Sequence, residues 1–76
     1  MLTLYDFNGM DETAQAEAVF KEGVYVDDRD EDGLKVQLYR LDSFYVEMYY
    51  DPKGNKITGY RSFKSPDQLA PYVKIL

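Results

Sequence analysis

Apolar and polar residues alternate along most of this chain, and the period of the alternation marks its parts. Leu2 to Phe7 alternate with period two, predicting a short strand that Asn8 and Gly9 interrupt. From Glu12 to Glu22 the period lengthens to that of a helix, with Ala16, Val19 and Phe20 on one stripe and Glu12, Gln15 and Glu22 elsewhere. Asp11 suits its N-cap, Lys21 its last turn, and Gly23 the position just beyond its end.

Period two returns at Val24 and runs to Phe63, broken by three turn signals: Asp28 to Gly33, the neighbourhood of Asp42 and Ser43, and Asp51-Pro52-Lys53-Gly54-Asn55. Loops this short pair neighbouring strands antiparallel, so the segment reads as a four-stranded meander. Ser65-Pro66-Asp67-Gln68 opens a further helical segment, which Pro71 confines to short turns packing Leu69, Tyr72, Val73 and Leu76. The expected fold class is therefore α+β, as one domain over residues 1–76. An antiparallel meander sheet of four to five strands carries the N-terminal helix on one face, and a short C-terminal helical segment completes the core.

Alternation assigns Val24, Val26, Leu34, Val36, Leu38, Val46, Met48 and Tyr50 to the face beneath the helix. The opposite face then collects Tyr25, Lys35, Gln37, Tyr39, Tyr45, Glu47 and Tyr49, joined by Tyr60. This division needs Leu38 to oppose Val46 across a three-residue loop, Leu41 to Ser43. A two-residue loop would move the register by one and mix the faces.

Composition narrows the function. The chain of 76 residues has 45% hydrophobic and 16% aromatic content, suited to one small folded core. With neither cysteine nor histidine, disulfides and the usual structural zinc sets are excluded, and catalysis loses its commonest base and readiest nucleophile. Phosphate-cradling glycine patterns and nucleophile elbows are absent as well, so the chain is expected not to be an enzyme. A net charge of −5 opposes direct nucleic-acid binding. No apolar run reaches the roughly 18 residues of a membrane span, and with no signal-like segment or cysteine the expected compartment is the cytoplasm.

Eight tyrosines then stand out. A sheet face carrying several of them among charges suits an interface, because tyrosine joins a large apolar body to one polar tip. The leading expectation is a non-catalytic protein-interaction module with Tyr39, Tyr45, Glu47 and Tyr49 as its contact residues, the partner being another protein or a second copy in a homodimer. The competing reading is that tyrosines are good strand formers and that the C-terminal turns cover this face. Two alternatives concern the carboxylates. Asp28-Arg29-Asp30-Glu31-Asp32-Gly33 resembles the opening of an EF-hand calcium loop, with Asp28, Asp30 and Asp32 as candidate ligands of a weak calcium site. The closing glutamate of that motif is missing, Tyr39 standing at its position, and an acidic hairpin turn accounts for the same residues. The other alternative is an acidic inhibitor occupying the basic groove of a nucleic-acid-binding protein.

Overall fold

The computed structural model describes residues 2–72. Among them the chain forms helices α1 (Leu4–Asn8) and α2 (Glu12–Glu22), strands β1 (Val24–Glu31), β2 (Leu34–Leu41), β3 (Phe44–Asp51) and β4 (Lys56–Phe63), and a 3-10 helix, η1 (Pro66–Tyr72). The strands make one open antiparallel sheet in the order β1-β2-β3-β4, as the meander reading expects. Val73 and Leu76, assigned to the C-terminal packing, lie outside the described residues.

The expected N-terminal strand is a helix instead. Thr3 and Asp6 build a reciprocal capping box: the Asp6 N–H donates to Thr3 Oγ1 at 3.1 Å, and the Thr3 N–H donates to Asp6 Oδ2 at 3.1 Å. One helical turn then aims Phe7 inward, where it is fully buried. Helix α2 begins at Asp11, whose Oδ1 accepts from the Ala14 N–H at 2.8 Å. Its buried residues are Ala18 and Val19, whereas Phe20, expected on the same stripe, is 89% exposed. Phe7 supplies the aromatic ring of this core in its place, edge-on to Tyr60 and tilted against Phe44. Gly23 ends the helix with φ −75°, outside the left-handed region. What requires glycine there is close approach, since a Cβ would lie 2.5 Å from the Val19 carbonyl oxygen.

The expected register between β2 and β3 is corrected. Leu38 opposes Glu47, not Val46, and Leu41 opposes Phe44 across a two-residue loop, Asp42-Ser43, with Asp42 at φ 52°. The physical reason is burial. The tighter loop makes Leu41 and Phe44 a directly opposed pair, both 0% exposed, in one core with Phe7, Ala18, Val19 and Val46. A three-residue loop would have left Leu41 in the turn.

The one-residue shift divides the expected core between the two faces. Val46, Met48 and Tyr50 face the helices together with Gln37, Tyr39 and Leu41. Leu34, Val36 and Leu38 face the other way, with Tyr45, Glu47 and Tyr49. Val24 and Val26, also expected in the core, are 56% and 48% exposed.

Bulges on both edge strands set which charges share that second face. On β1, pairing passes from Tyr25 opposite Tyr39 to Asp27 opposite Leu38, leaving Val26 over; on β4 it passes from Ile57 opposite Tyr50 to Gly59 opposite Tyr49, leaving Thr58 over. Each bulge reverses the parity of its strand, so that Arg29 and Arg61 both fall on the face of Glu47. The 3-10 helix η1 lies over this face.

Candidate interaction surface

Beneath η1, the Glu47 carboxylate is 0% exposed on the inner strand β3. Its Oε1 accepts from Arg61 Nε at 2.8 Å and from the Tyr49 hydroxyl at 3.3 Å, and lies 2.7 Å from Arg61 Nη2. Its Oε2 accepts from Arg29 Nη2 at 3.1 Å and from the Tyr72 hydroxyl at 2.5 Å. Arg61 also donates to Gln68 Oε1 at 2.8 Å, and the Arg29 guanidinium stacks over the Tyr72 ring, so η1 is held by its own side chains. Burial by itself would push the Glu47 carboxyl up. Hydrogen bonds from Tyr72, Arg61 and Arg29 outweigh it and hold the group below the ordinary carboxylate value. Burial and the bond to Glu47 push the Tyr72 hydroxyl well above the usual tyrosine value.

Among the described residues no buried side-chain nitrogen or oxygen lacks a hydrogen-bond partner. The cluster is thus a satisfied ionic core beneath a helix. Both oxygens of the carboxylate are engaged by donors of the fold itself, Arg61 and Tyr49 on Oε1 and Arg29 and Tyr72 on Oε2.

The four residues expected to form one contact face are therefore separated. Tyr39 lies on the helix-bearing face, where its hydroxyl donates to Gln37 Oε1 at 2.8 Å. On the other face Tyr45 stacks on Phe63, with ring centroids 5.6 Å apart, while Glu47 and Tyr49 belong to the ionic cluster. The reversed register is what divides them, and intramolecular cover accounts for Tyr45, Glu47 and Tyr49.

Of the candidate calcium ligands, Asp28 and Asp30 are strand residues and Asp32 alone is in the turn. Asp28 accepts from the Tyr25 hydroxyl, and Asp30 lies 2.9 Å from Lys35 Nζ. Asp32 and Gly33, at φ 49° and 83°, are the two central residues of a tight hairpin. Among the described residues, no group of three or more carboxylates is placed to hold a metal ion.

The helix-bearing face presents a different surface. Helices α1 and α2 cover the end of the sheet near Leu41, Phe44 and Val46, with Tyr39 and Tyr60 partly buried against that core, and leave the far part of that face bare. Between the helix and the sheet runs a groove of about 590 Å³ whose floor is Tyr25, Tyr39, Met48, Ile57 and Tyr60. Tyr25 is 51% and Ile57 39% exposed, and Phe20 stands on the rim. Glu17 and Lys21 from α2 border the groove. Next to it, Asp28 and Lys35 flank a second depression that shares Met48. Helical spacing does not reveal this surface, because Phe20 reads as a core residue. The signal present in the sequence is the surplus of apolar residues on β1 and α2 over what one short helix can cover.

Comparisons with protein-family models, curated proteins and solved structures return no match to this chain. The class its fold defines is an α+β domain on an open antiparallel meander, clad by helices at one end of one face and by a 3-10 helix on the other. Among the described residues, no helix is long and apolar enough to cross a membrane.

Proposed function

We propose that this protein is a non-catalytic interaction module, and that its working surface is the groove between α2 and the bare part of the sheet, occupied by an apolar segment of a protein chain. The observation that carries this reading is Phe20, a phenylalanine 89% exposed on the rim of a groove floored by Tyr25, Tyr39, Met48, Ile57 and Tyr60. Aromatic side chains at such positions supply most of the energy of protein interfaces, and contiguous apolar surface on a small domain marks a site of association. Tyr39 keeps the contact role expected of it, now as part of the groove. Net charge and the acidic β1–β2 hairpin act here as solubility and as protection of an edge strand.

A photo-crosslinking residue at Ile57 tests the reading in cells. An adduct of defined mass is expected from Ile57, lost on Phe20→Ser, and not given by the same residue placed at Asp67 on the opposite face. No adduct at Ile57, or one that Phe20→Ser leaves unchanged, would reject the groove as the working surface.

A further inference from the structure

We infer that the segment filling the groove is an extended strand of alternating apolar and acidic residues, which adds to the sheet along the free edge of β4. The inference rests on the groove being the working surface and gives its occupant a backbone form and a charge. Strand β4 is paired on one side with β3, and among the described residues no main-chain group outside the sheet bonds to its other side. Such an edge offers unpaired N–H and C=O groups, and strand addition is one of the recurring ways in which a domain takes up an extended chain. The groove reaches this strand, since Ile57 and Tyr60 of its floor belong to β4.

The two faces of β4 differ in chemistry. Because Thr58 is left over at the bulge, Lys56, Ile57, Gly59, Tyr60 and Arg61 take alternate faces in turn. Ile57 and Tyr60 present apolar surface on the helix-bearing face, whereas Lys56 and Arg61, both exposed, stand on the other with Gly59 between them. A strand laid beside β4 alternates in the same way, so its apolar side chains meet Ile57 and Tyr60 and its carboxylates meet Lys56 and Arg61. Gly59 fits such a neighbour. Its φ lies outside the left-handed region and a Cβ there would meet nothing within 4 Å, so neither backbone nor packing in this chain requires glycine. A glycine inside an edge strand weakens it and suits the close approach of another backbone.

Charge makes the partner acidic. Residues 52–66 hold four of the nine cationic side chains, Lys53, Lys56, Arg61 and Lys64, and none of the 14 acidic ones. All four are exposed, and among the described residues Lys53, Lys56 and Lys64 make no ion pair, although Lys56 stands opposite Asp51 on β3. At the β1 edge the fold takes up its own charges: Asp28 accepts from the Tyr25 hydroxyl, Asp30 pairs with Lys35, and Glu31 pairs with Arg29. That edge lies about 14 Å from β4, three strand spacings, beyond the ~8 Å over which exposed charges act through physiological salt. A partner at β4 therefore meets the cations and not the net charge of −5. Lysines on an edge discourage pairing with most strands. A strand that brings carboxylates to them removes that obstacle, so the same residues select the acidic partner.

Three short fluorescent peptides, alternating Val with Glu, with Lys or with Ser, test the inference by polarisation. The Glu-Val peptide is expected to bind, and the other two to bind at least about tenfold more weakly. Its affinity should fall as salt rises from about 0.05 M to about 0.5 M, and fall at least about tenfold when Lys56→Glu and Lys64→Glu are combined, a change confined to exposed side chains. Bound peptide should also slow amide hydrogen exchange within residues 56–61, the signature of main-chain pairing that charge attraction alone does not give. No binding of the Glu-Val peptide, equal binding of all three, indifference to the two charge reversals, or unchanged exchange in β4 overturns the inference. If the Glu-Val peptide fails to bind while Ile57 still gives its Phe20-dependent adduct, strand addition fails and the groove stands. If neither binding nor adduct is found, both readings fail.

Discussion

At the scale of single residues, Glu47 decides more than any other side chain. Removing its charge leaves Arg29, whose side chain is only 17% exposed, with Glu31 at 2.7 Å as its remaining ion-pair partner, while Arg61 at 47% can turn to water. Glu47→Gln is therefore expected to destabilise the fold by about 2–3 kcal/mol, less than the ~3–5 kcal/mol of a buried pair that leaves its partner uncompensated. Arg61→Ala should cost only about 1 kcal/mol. Urea unfolding of the two variants side by side checks the order. Acid acts through the same carboxyl. Its value is depressed in the folded chain, so the unfolded chain binds the proton first as pH drops below about 4.5. The stability contributed by Glu47 is complete above that pH and is lost as pH falls through the folded value. The melting temperature should drop in this window for the natural sequence and drop less steeply in Glu47→Gln.

Glycine positions give a second residue-scale test. At φ 83°, Gly33 occupies backbone that alanine enters only with strain, and Gly33→Ala should cost about 1 kcal/mol. Gly23→Ala should cost at least as much for a different reason, since its Cβ would meet a backbone carbonyl that the end of α2 cannot move aside. Thermal unfolding of both variants measures the two costs.

At the scale of elements, the informative contrast is between α2 and η1. The α2 boundaries were legible in Asp11, Lys21 and Gly23, because capping and helix-end charge are local effects that need no tertiary partner. Which stripe of α2 goes inward was not, because Phe7 arrives from α1 to fill the place that Phe20 would have taken. The 3-10 helix has no such autonomy. Pro71 lies within it, and its anchors are the Tyr72 hydroxyl on Glu47 and the Gln68 amide oxygen on Arg61. Tyr72→Phe should therefore loosen η1 while leaving the sheet intact. The expected signature is faster hydrogen exchange at Gln68 and Leu69, a loss of about 1.5–3 kcal/mol for a bond to a charged group, and a Glu47 carboxyl titrating at higher pH. Unchanged exchange in η1 would show that its packing alone holds it.

At the scale of the whole molecule, the sheet is covered unevenly, and function follows from the uneven part. One end of one face is sealed by the helices, the other face lies under η1, and what remains is the groove beside Phe20. Phe20, 89% exposed, contributes little to the fold, so Phe20→Ser should change stability by no more than about 0.5 kcal/mol, as thermal unfolding can check. A larger loss would show that Phe20 serves the core and not the rim of the groove.

The sequence by itself determined the α+β class, the helix from Glu12 to Glu22, the four-strand meander and the neighbourhood of each of its turns, though not their lengths. These are set by local periodicity, by caps and by glycine and proline, whose effects reach only a few residues. Tertiary structure decided the rest. A loop shorter by one residue buried Leu41 against Phe44, and two bulges turned Arg29 and Arg61 toward Glu47. The tyrosines that alternation placed on one face were divided between two as a result. Strand register has a period of two, so a shift of one residue leaves every local signal in place and exchanges the faces. Only the packing of distant side chains distinguishes the two outcomes.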